Sequence, residues 1–473
     1  MRIVFNATWL IVAKKEIKEA LHSKIVIFLS FIVWGLLLFA AFGGYKTYSN
    51  INTQQQEARK MFREELAQKD RNPHSAAHFG TWLFKPLTAL SLFDPGVNDY
   101  TGSTYRVEAH KQSEMNFAAA KDSDSMMRFG PLSVAMLFQL FLPLVIVFLC
   151  SSSMSKEYET GMLKMLYAQG ASKRSLLWGK ILGNYLLVFT IILPAFLIIF
   201  ITGFFDHILA DTALFIFCYA LYLFIWVAIS VLVSDMVRNS GPSLLLQLCM
   251  WILFCIGIPK VIASTANSAY PLPSYYEFSK LVDKDFYNGI DEDGSYSQRR
   301  EKLEKETLKK YGVDSISQLP INLDGLLLQD AEDYMSRSYQ LRSVPVNIQL
   351  ARQQKLFRLG TFISPYLSIR QLSRGFAGTD LFHHRDFHKE AGIYRDGFIR
   401  MLNLELAKSN HKDGHYSVSA QFLAGMKQFD YKKPSASGVV RYLLPVEISF
   451  LYWLGVIFLL IELSNLKIQK YKL

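Results

Sequence analysis

Histidines are the first residues in this chain that could do chemistry. His74 and His78 stand four residues apart, as do His384 and His388, so each pair could share one face of a helix. Imidazoles at that spacing suit Zn or Cu, and all four together are the candidate metal set. Eight of the ten histidines, His74, His78, His110, His383, His384, His388, His411 and His415, fall in two long hydrophilic stretches. No cysteine joins them and no HExxH pattern is present, so ordinary hydrogen-bonded or surface histidines are the plainer reading.

Nucleotide chemistry is not expected of this chain. A phosphate-wrapping loop needs a Gly-rich turn closed by Gly-Lys-Ser/Thr. The one Gly-Lys here, Gly179–Lys180, is followed by Ile181 and has no Gly five residues earlier. Cys150, Cys218, Cys249 and Cys255 all sit in apolar runs, so they offer the hydrophilic stretches no disulfide framework. No short apolar core with a cleavage site opens the sequence, so no removable leader is expected.

The elements that must position these residues are membrane helices. Hydrophobic residues make up 51% of the 473 and charged ones only 19%, below the roughly 25% of a soluble domain. A net charge of +11 would suit nucleic acid, but much of the Lys and Arg flanks apolar segments, which excludes that partner and points to a bilayer. Six stretches are long and apolar enough to span: 25–42, 132–152, 181–204, 212–233, 242–262 and 443–463. Their interiors offer only Gln139, Asn184 and Gln247 as notable polar groups, which argues against a coupling-ion site and for an external energy source. Pro143 and Pro194 are candidate kinks.

Basic residues set the orientation. Arg2, Lys14, Lys15, Lys18 and Lys24 precede the first span. Lys156, Lys164, Lys173, Arg174 and Lys180 lie between the second and third, Arg238 between the fourth and fifth, and Lys467, Lys470 and Lys472 after the sixth. All fall on one side, the cytoplasmic one, with both termini. Segments 43–131 and 263–442 are then outside, where they could fold into one composite, mostly helical domain. Lys164 should lie inside, with Asn98 and Gly325 outside. Within the outer segments, 52–69, Tyr296–Tyr311, 328–359 (interrupted by Pro345) and 388–406 read as helices, and 416–422 as a short strand. Asp235 and Arg238 read as parts of a solvated inner turn.

The cytoplasmic loop 153–180 is the most informative segment. Residues 155–167 fit one short charged helix, ended by Gly170, and Ser172 can cap the next. That helix mixes Glu157 and Glu159 with Met162, Leu163, Met165 and Leu166, a suitable docking knob for another protein.

Glu157, Glu159, Gly161, Leu163, Leu166, Gly170, Lys173–Arg174 and Gly179–Lys180 resemble the pattern of type 2 ABC transporter permeases, with Met162 in place of the commoner Thr. The resemblance implies that this is the coupling helix, and that Glu157, Glu159, Gly161, Met162, Leu163, Leu166, Arg174 and Lys180 face a separate ATPase. Residues 1–24 resemble the family's interfacial elbow helix. Stretches 77–102, 128–133 and 374–398 are similar to a bacterial subfamily with large inserts after the first and fifth spans.

The resemblance implies a mainly α fold: a six-helix bundle of the type 2 ABC exporter class with a composite extracytoplasmic domain. It implies a dimer with a second permease, identical or related, over two ABC ATPase subunits that hold the ATP and Mg. This chain would bind no cofactor of its own. It would sit in the bacterial inner membrane with its domain in the periplasm, exporting a substrate or acting mechanically on an extracytoplasmic partner. The alternatives are a membrane-anchored assembly or sensor protein without transport, and a Cu- or Zn-linked maturation permease.

Overall fold

The computed structural model describes residues 8–112, 115–116, 132–409 and 416–471. His411, His415, most of the 128–133 stretch, Arg2 and Lys472 lie outside them. Among the described residues, six helices are long and apolar enough to cross a membrane: Lys24–Leu66, Val134–Glu159, Lys173–Phe205, Leu209–Val237, Ser240–Ala269 and Ser437–Asn465, here spans 1 to 6. Span 4 is the centre of the bundle. Tyr219, Tyr222, Leu223, Trp226, Val227, Ala228 and Val231 are all buried on it, packed by spans 2, 3 and 6.

The amides of Gln139 and Gln247, inside the spans, donate to groups of the protein. A π-turn at Leu137–Phe141 in span 2, just before Pro143, reshapes the backbone around Gln139. The Gln139 amide donates to Tyr219 Oη at 2.7 Å, and Tyr222 Oη donates to the Gln139 carbonyl at 2.6 Å. Gln247 donates to the Ser230 carbonyl at 3.0 Å.

Outside the bundle, span 1 runs on as an unbroken stalk to Leu66, where a separate helix over 52–69 was expected. Gly43–Gly44 does not break it, because Gly44 lets the Leu92 carbonyl approach where a Cβ would stand only 2.7 Å away. Residues of both outer segments share one core: Ala76, Ala77, Leu83, Tyr105 and Val107 from the first, with Phe387, Ala391, Phe398, Ile399 and Leu402 from the second. The long helices of this domain are Leu323–Gly360, which continues through Pro345, and Leu381–Lys408.

A small antiparallel sheet was not anticipated. Its strands β1 (Thr81–Phe84), β2 (Thr104–Val107) and β3 (Met115–Asn116) pair in that order, with Thr81 opposite Val107. The strand expected at 416–422 reduces to one bridge, Val418 with Arg71, followed by a short helix, Ala420–Ala424.

The domain closes over the outer end of the bundle through a cap helix, Pro365–Ala377, which packs on spans 4 and 6. Ser373 on that helix bonds Asp94 of the first outer segment, and Tyr219 of span 4 donates to Ser373 at 2.9 Å. On the same helix, Ser368 pairs with Ser449 of span 6 at 2.8 Å.

Candidate functional site between spans 2 and 3

The loop between spans 2 and 3 forms two short helices, Ser155–Glu159 and Met162–Ala168, where one was expected. Gly161 makes the break. Its φ of 73° lies in the left-handed region, which a side chain rarely tolerates, so the chain turns there and restarts. Gly170, at φ 87°, ends the second helix, and Ser172 Oγ accepts from Ser175 N–H at the start of Lys173–Phe205, as the sequence suggested.

The first short helix is locked from three sides. Ser234 Oγ, at the end of span 4, accepts the N–H groups of Met154 and Ser155, each at 3.0 Å. Those two donors would otherwise be orphaned at a helix start. Tyr158 Oη donates to Asp235 Oδ1 at 2.9 Å. Glu159 accepts from the Ser240 backbone at 2.7 Å and from its hydroxyl at 2.8 Å, capping the start of span 5.

Asp235 is a junction and not part of a solvated turn. It is 3% exposed and accepts from Tyr158, from Lys173 at 2.8 Å and from Ser464 of span 6 at 2.7 Å. Four elements therefore meet on one carboxylate. A sequence signal for this existed. An Asp in the last turn of a helix and a Lys in the first turn of another each oppose the helix dipole, so each needs a compensating partner. Here they compensate each other.

Lys180 makes a second junction. Only 3% exposed, it donates to Glu16 of the elbow helix (Thr8–Leu21) at 2.6 Å and to Glu157 at 3.1 Å. Lys15 reaches Glu157 at 3.6 Å, and Asn184 Nδ2 stands 3.4 Å from Glu16. Partial burial acts against the charge of Lys15, but Glu157, Glu19 and Glu16 together hold its pKa above the ordinary value. Breaking one arm of such a buried charge set costs about 3–5 kcal/mol, because the remaining charge is left without a partner.

The elbow helix lies against span 3 over a small-residue pair four apart. A Cβ at Gly179 would stand 2.6 Å from Val12 Cβ and 2.7 Å from the Trp9 carbonyl, and one at Gly183 would stand 2.9 Å from the Ala13 carbonyl. Gly179–Lys180 thus joins the elbow to the loop.

The residues expected to face an ATPase therefore divide. Glu157, Glu159 and Lys180 are held by groups of this chain, and Arg174 pairs with Glu462 of span 6 at 3.1 Å. Leu163 is buried and Leu166 half-buried against the bundle core. Of the apolar residues here, Met162 and Met165 stand out, 40% and 58% exposed.

The histidines also divide. His74 and His78 come together with His110 and not with the second pair. His388 lies against the rings of Tyr105 and Tyr339. His384 has a buried Nδ1 without a partner, and its pKa is pushed down to about 4, first by burial and then by Lys85 and His388. His383 bonds Asp380 at 2.6 Å at the start of its helix.

Comparison with known families gives two matches. Residues 88–275 match the family described as ABC-2 family transporter protein, and residues 290–432 match one described as a domain of unknown function (DUF3526). No curated protein matches the chain.

Proposed function

We propose that this chain is a multi-pass membrane permease of the ABC-2 transporter type, and that it couples a separate ATPase to its outer domain through the two-helix unit between spans 2 and 3. The family implies an ABC ATPase partner and a dimer. In this reading two ATPase subunits carry ATP and Mg, and the second permease is a copy or a relative. The unit, both termini and the elbow face the cytoplasm, and the outer domain lies in the periplasm of a bacterial inner membrane.

The observation that carries the reading is the exposure of Met162 and Met165 on a unit whose acidic residues, Glu157 and Glu159, are bonded within the chain and whose leucines, Leu163 and Leu166, pack on the bundle. Methionine is enriched at interfaces and adapts to an irregular groove. A push on these two side chains reaches span 4 through Asp235 and Ser234, span 5 through Glu159, and the elbow and span 3 through Lys180. Span 4 carries the displacement outward to Tyr219, which is bonded to the cap helix. The cytoplasmic event and the outer closure are thus joined by one rigid helix.

Two readings of the output follow. Export of a substrate is one. The other, mechanical action on an extracytoplasmic partner, is favoured by the cap helix, which seals the outer end of this bundle.

The test is a double variant, Met162→Asp/Met165→Asp, against a control change at exposed Lys309. Co-purification with the ATPase encoded nearby should fall by at least about tenfold, an interface loss of about 1.4 kcal/mol. Melting of the permease should not change, since neither side chain is buried. Full ATPase binding by the double variant would refute the assignment.

A further inference from the structure

We propose that His74, His78 and His110 form a binding site for one divalent transition-metal ion of the zinc–copper class on the outer domain. Two ligands come from one short helix, Pro73–Phe79, whose start is fixed by Pro73 and by Asn72 Oδ1, which accepts from His74 N–H at 2.9 Å. The third comes from the turn after β2. His110 has a φ of 62°, a conformation that a non-glycine residue keeps only when its surroundings impose it. What imposes it is Glu332, on the long helix Leu323–Gly360. Glu332 Oε1 accepts the His110 backbone N–H at 2.6 Å and faces its ring Nδ1 at 3.1 Å.

The geometry matches a metal site before any metal is bound. One ring nitrogen from each of the three histidines lies within 4.8 Å of the others. His74 Nε2 and His78 Nε2 are 3.1 Å apart. Tetrahedral zinc, with Zn–N bonds of about 2.0–2.1 Å, holds two ligand nitrogens about 3.3 Å apart, so the pair needs to move very little. A simple N–H···N bond would account for His74 and His78 but not for the third ring, whose centroid lies 5.4 and 5.1 Å from theirs.

Glu332 supplies the supporting shell. A carboxylate on Nδ1 fixes the tautomer with its proton there and leaves Nε2 of His110 as the ligand atom. Glu332 is itself buried and accepts from the fully buried Arg395 at 2.6 Å. The absence of thiolates selects Zn(II) or Cu(II) over Cu(I).

Three protein ligands leave a fourth position, and exposed His78 and His110 place it at the surface. Water, or a donor group on an approaching molecule, can occupy it. The ion would tie the helix Pro73–Phe79 to the turn after β2, and through the His110–Glu332 bond it would brace the contact with the helix Leu323–Gly360 of the second outer segment.

The experiment uses full-length protein in detergent, purified without a polyhistidine tag and stripped with EDTA. Zn(II) and Cu(II) are titrated calorimetrically in separate runs, and Co(II) is added as a spectroscopic probe of four-coordination. Wild type should take up one equivalent of at least one of the two ions, with a dissociation constant below about 1 µM. His78→Ala and His110→Ala should each weaken binding by about 100-fold, and Glu332→Gln by about 10–100-fold. His388→Ala should bind as wild type does. Melting curves verify that each variant is folded, and the exposure of His78 makes its truncation safe for packing. Absence of uptake by wild type, uptake that survives His78→Ala, or loss of uptake in His388→Ala would overturn the proposal.

Discussion

At the scale of single residues, this chain uses buried charge as a fastener. Lys180 and Asp235 each hold groups from several elements, and both are almost fully removed from solvent. His384 is the opposite case, a titratable group buried without a charge partner. Its pKa is about 4 in the fold against about 6.5 in an unfolded chain. The unfolded state therefore binds the extra proton first, and stability that is present above pH 6.5 is lost as the pH falls toward 4. At pH 5 that loss is about 2 kcal/mol, because burial disfavours a protonated ring there and Lys85 and His388 stand beside it. Melting followed at pH 7 and pH 5 should show a smaller acid shift in His384→Asn than in wild type, and equal shifts would disprove the assignment. The sequence alone drew attention to His384 through its spacing to His388, which suggested a ligand. Spacing reports only that two side chains share a helix face. It does not report what stands opposite, and here that is Tyr105, Tyr339 and Lys85 in place of His74 and His78.

Elements were legible in proportion to how local their causes are. The spans follow from continuous apolar runs, and the cap at Ser172 follows from residues within one turn. The sheet was not legible, because strands of four, four and two residues are too short to show alternation, and their pairing is a long-range event. The unbroken stalk was missed because Gly43–Gly44 and the polar run after it look like a boundary, whereas the packing of Leu92 on Gly44 keeps the helix intact. The elbow was legible as an amphipathic segment, but not its seat on Gly179 and Gly183. That seat makes a prediction. Gly179→Leu places a side chain where Val12 and Trp9 already stand, so the elbow should be displaced. Lys14, Lys15 and Lys18 should then be cut by trypsin at least about tenfold faster, as expected once roughly 1.4 kcal/mol of docking is lost. Gly35→Leu, where a Cβ would meet nothing within 4 Å, serves as the control. Unchanged cleavage of Gly179→Leu would show that the elbow is held by its charges alone.

At the scale of the whole molecule, one helix joins two ends that the sequence describes separately. Span 4 holds Ser234 and Asp235 at one end. Toward the other it holds Tyr219, and at its start Asp211, which pairs with Lys433 of the outer domain at 2.9 Å. No pattern along the chain could reveal this, since Asp94 and Ser373 are 279 residues apart and Thr88 bonds the carbonyl of Ala377 across 289. What the sequence does carry at this scale is the asymmetry of Lys and Arg around the spans, and from it a topology. That topology would put the two-helix unit and both termini on one face of the membrane, and the composite domain on the other. Single cysteines introduced into a cysteine-free background and probed in intact cells with an impermeant thiol reagent will decide it. Two outer positions that look suitable in the sequence are poor reporters. A Cβ at Gly325 would lie 2.4 Å from the Ala407 nitrogen, and Asn98 accepts from Lys85 at 2.9 Å. Exposed Lys69 and Lys309 are better outer sites, and exposed Lys164 is a good inner one. Positions 69 and 309 should label in intact cells, and position 164 only after the membrane is permeabilised. Labelling at 164 without permeabilisation, with 69 and 309 protected, would invert the molecule. It would put the methionine pair on the side without ATP, and the coupling mechanism would fall with it.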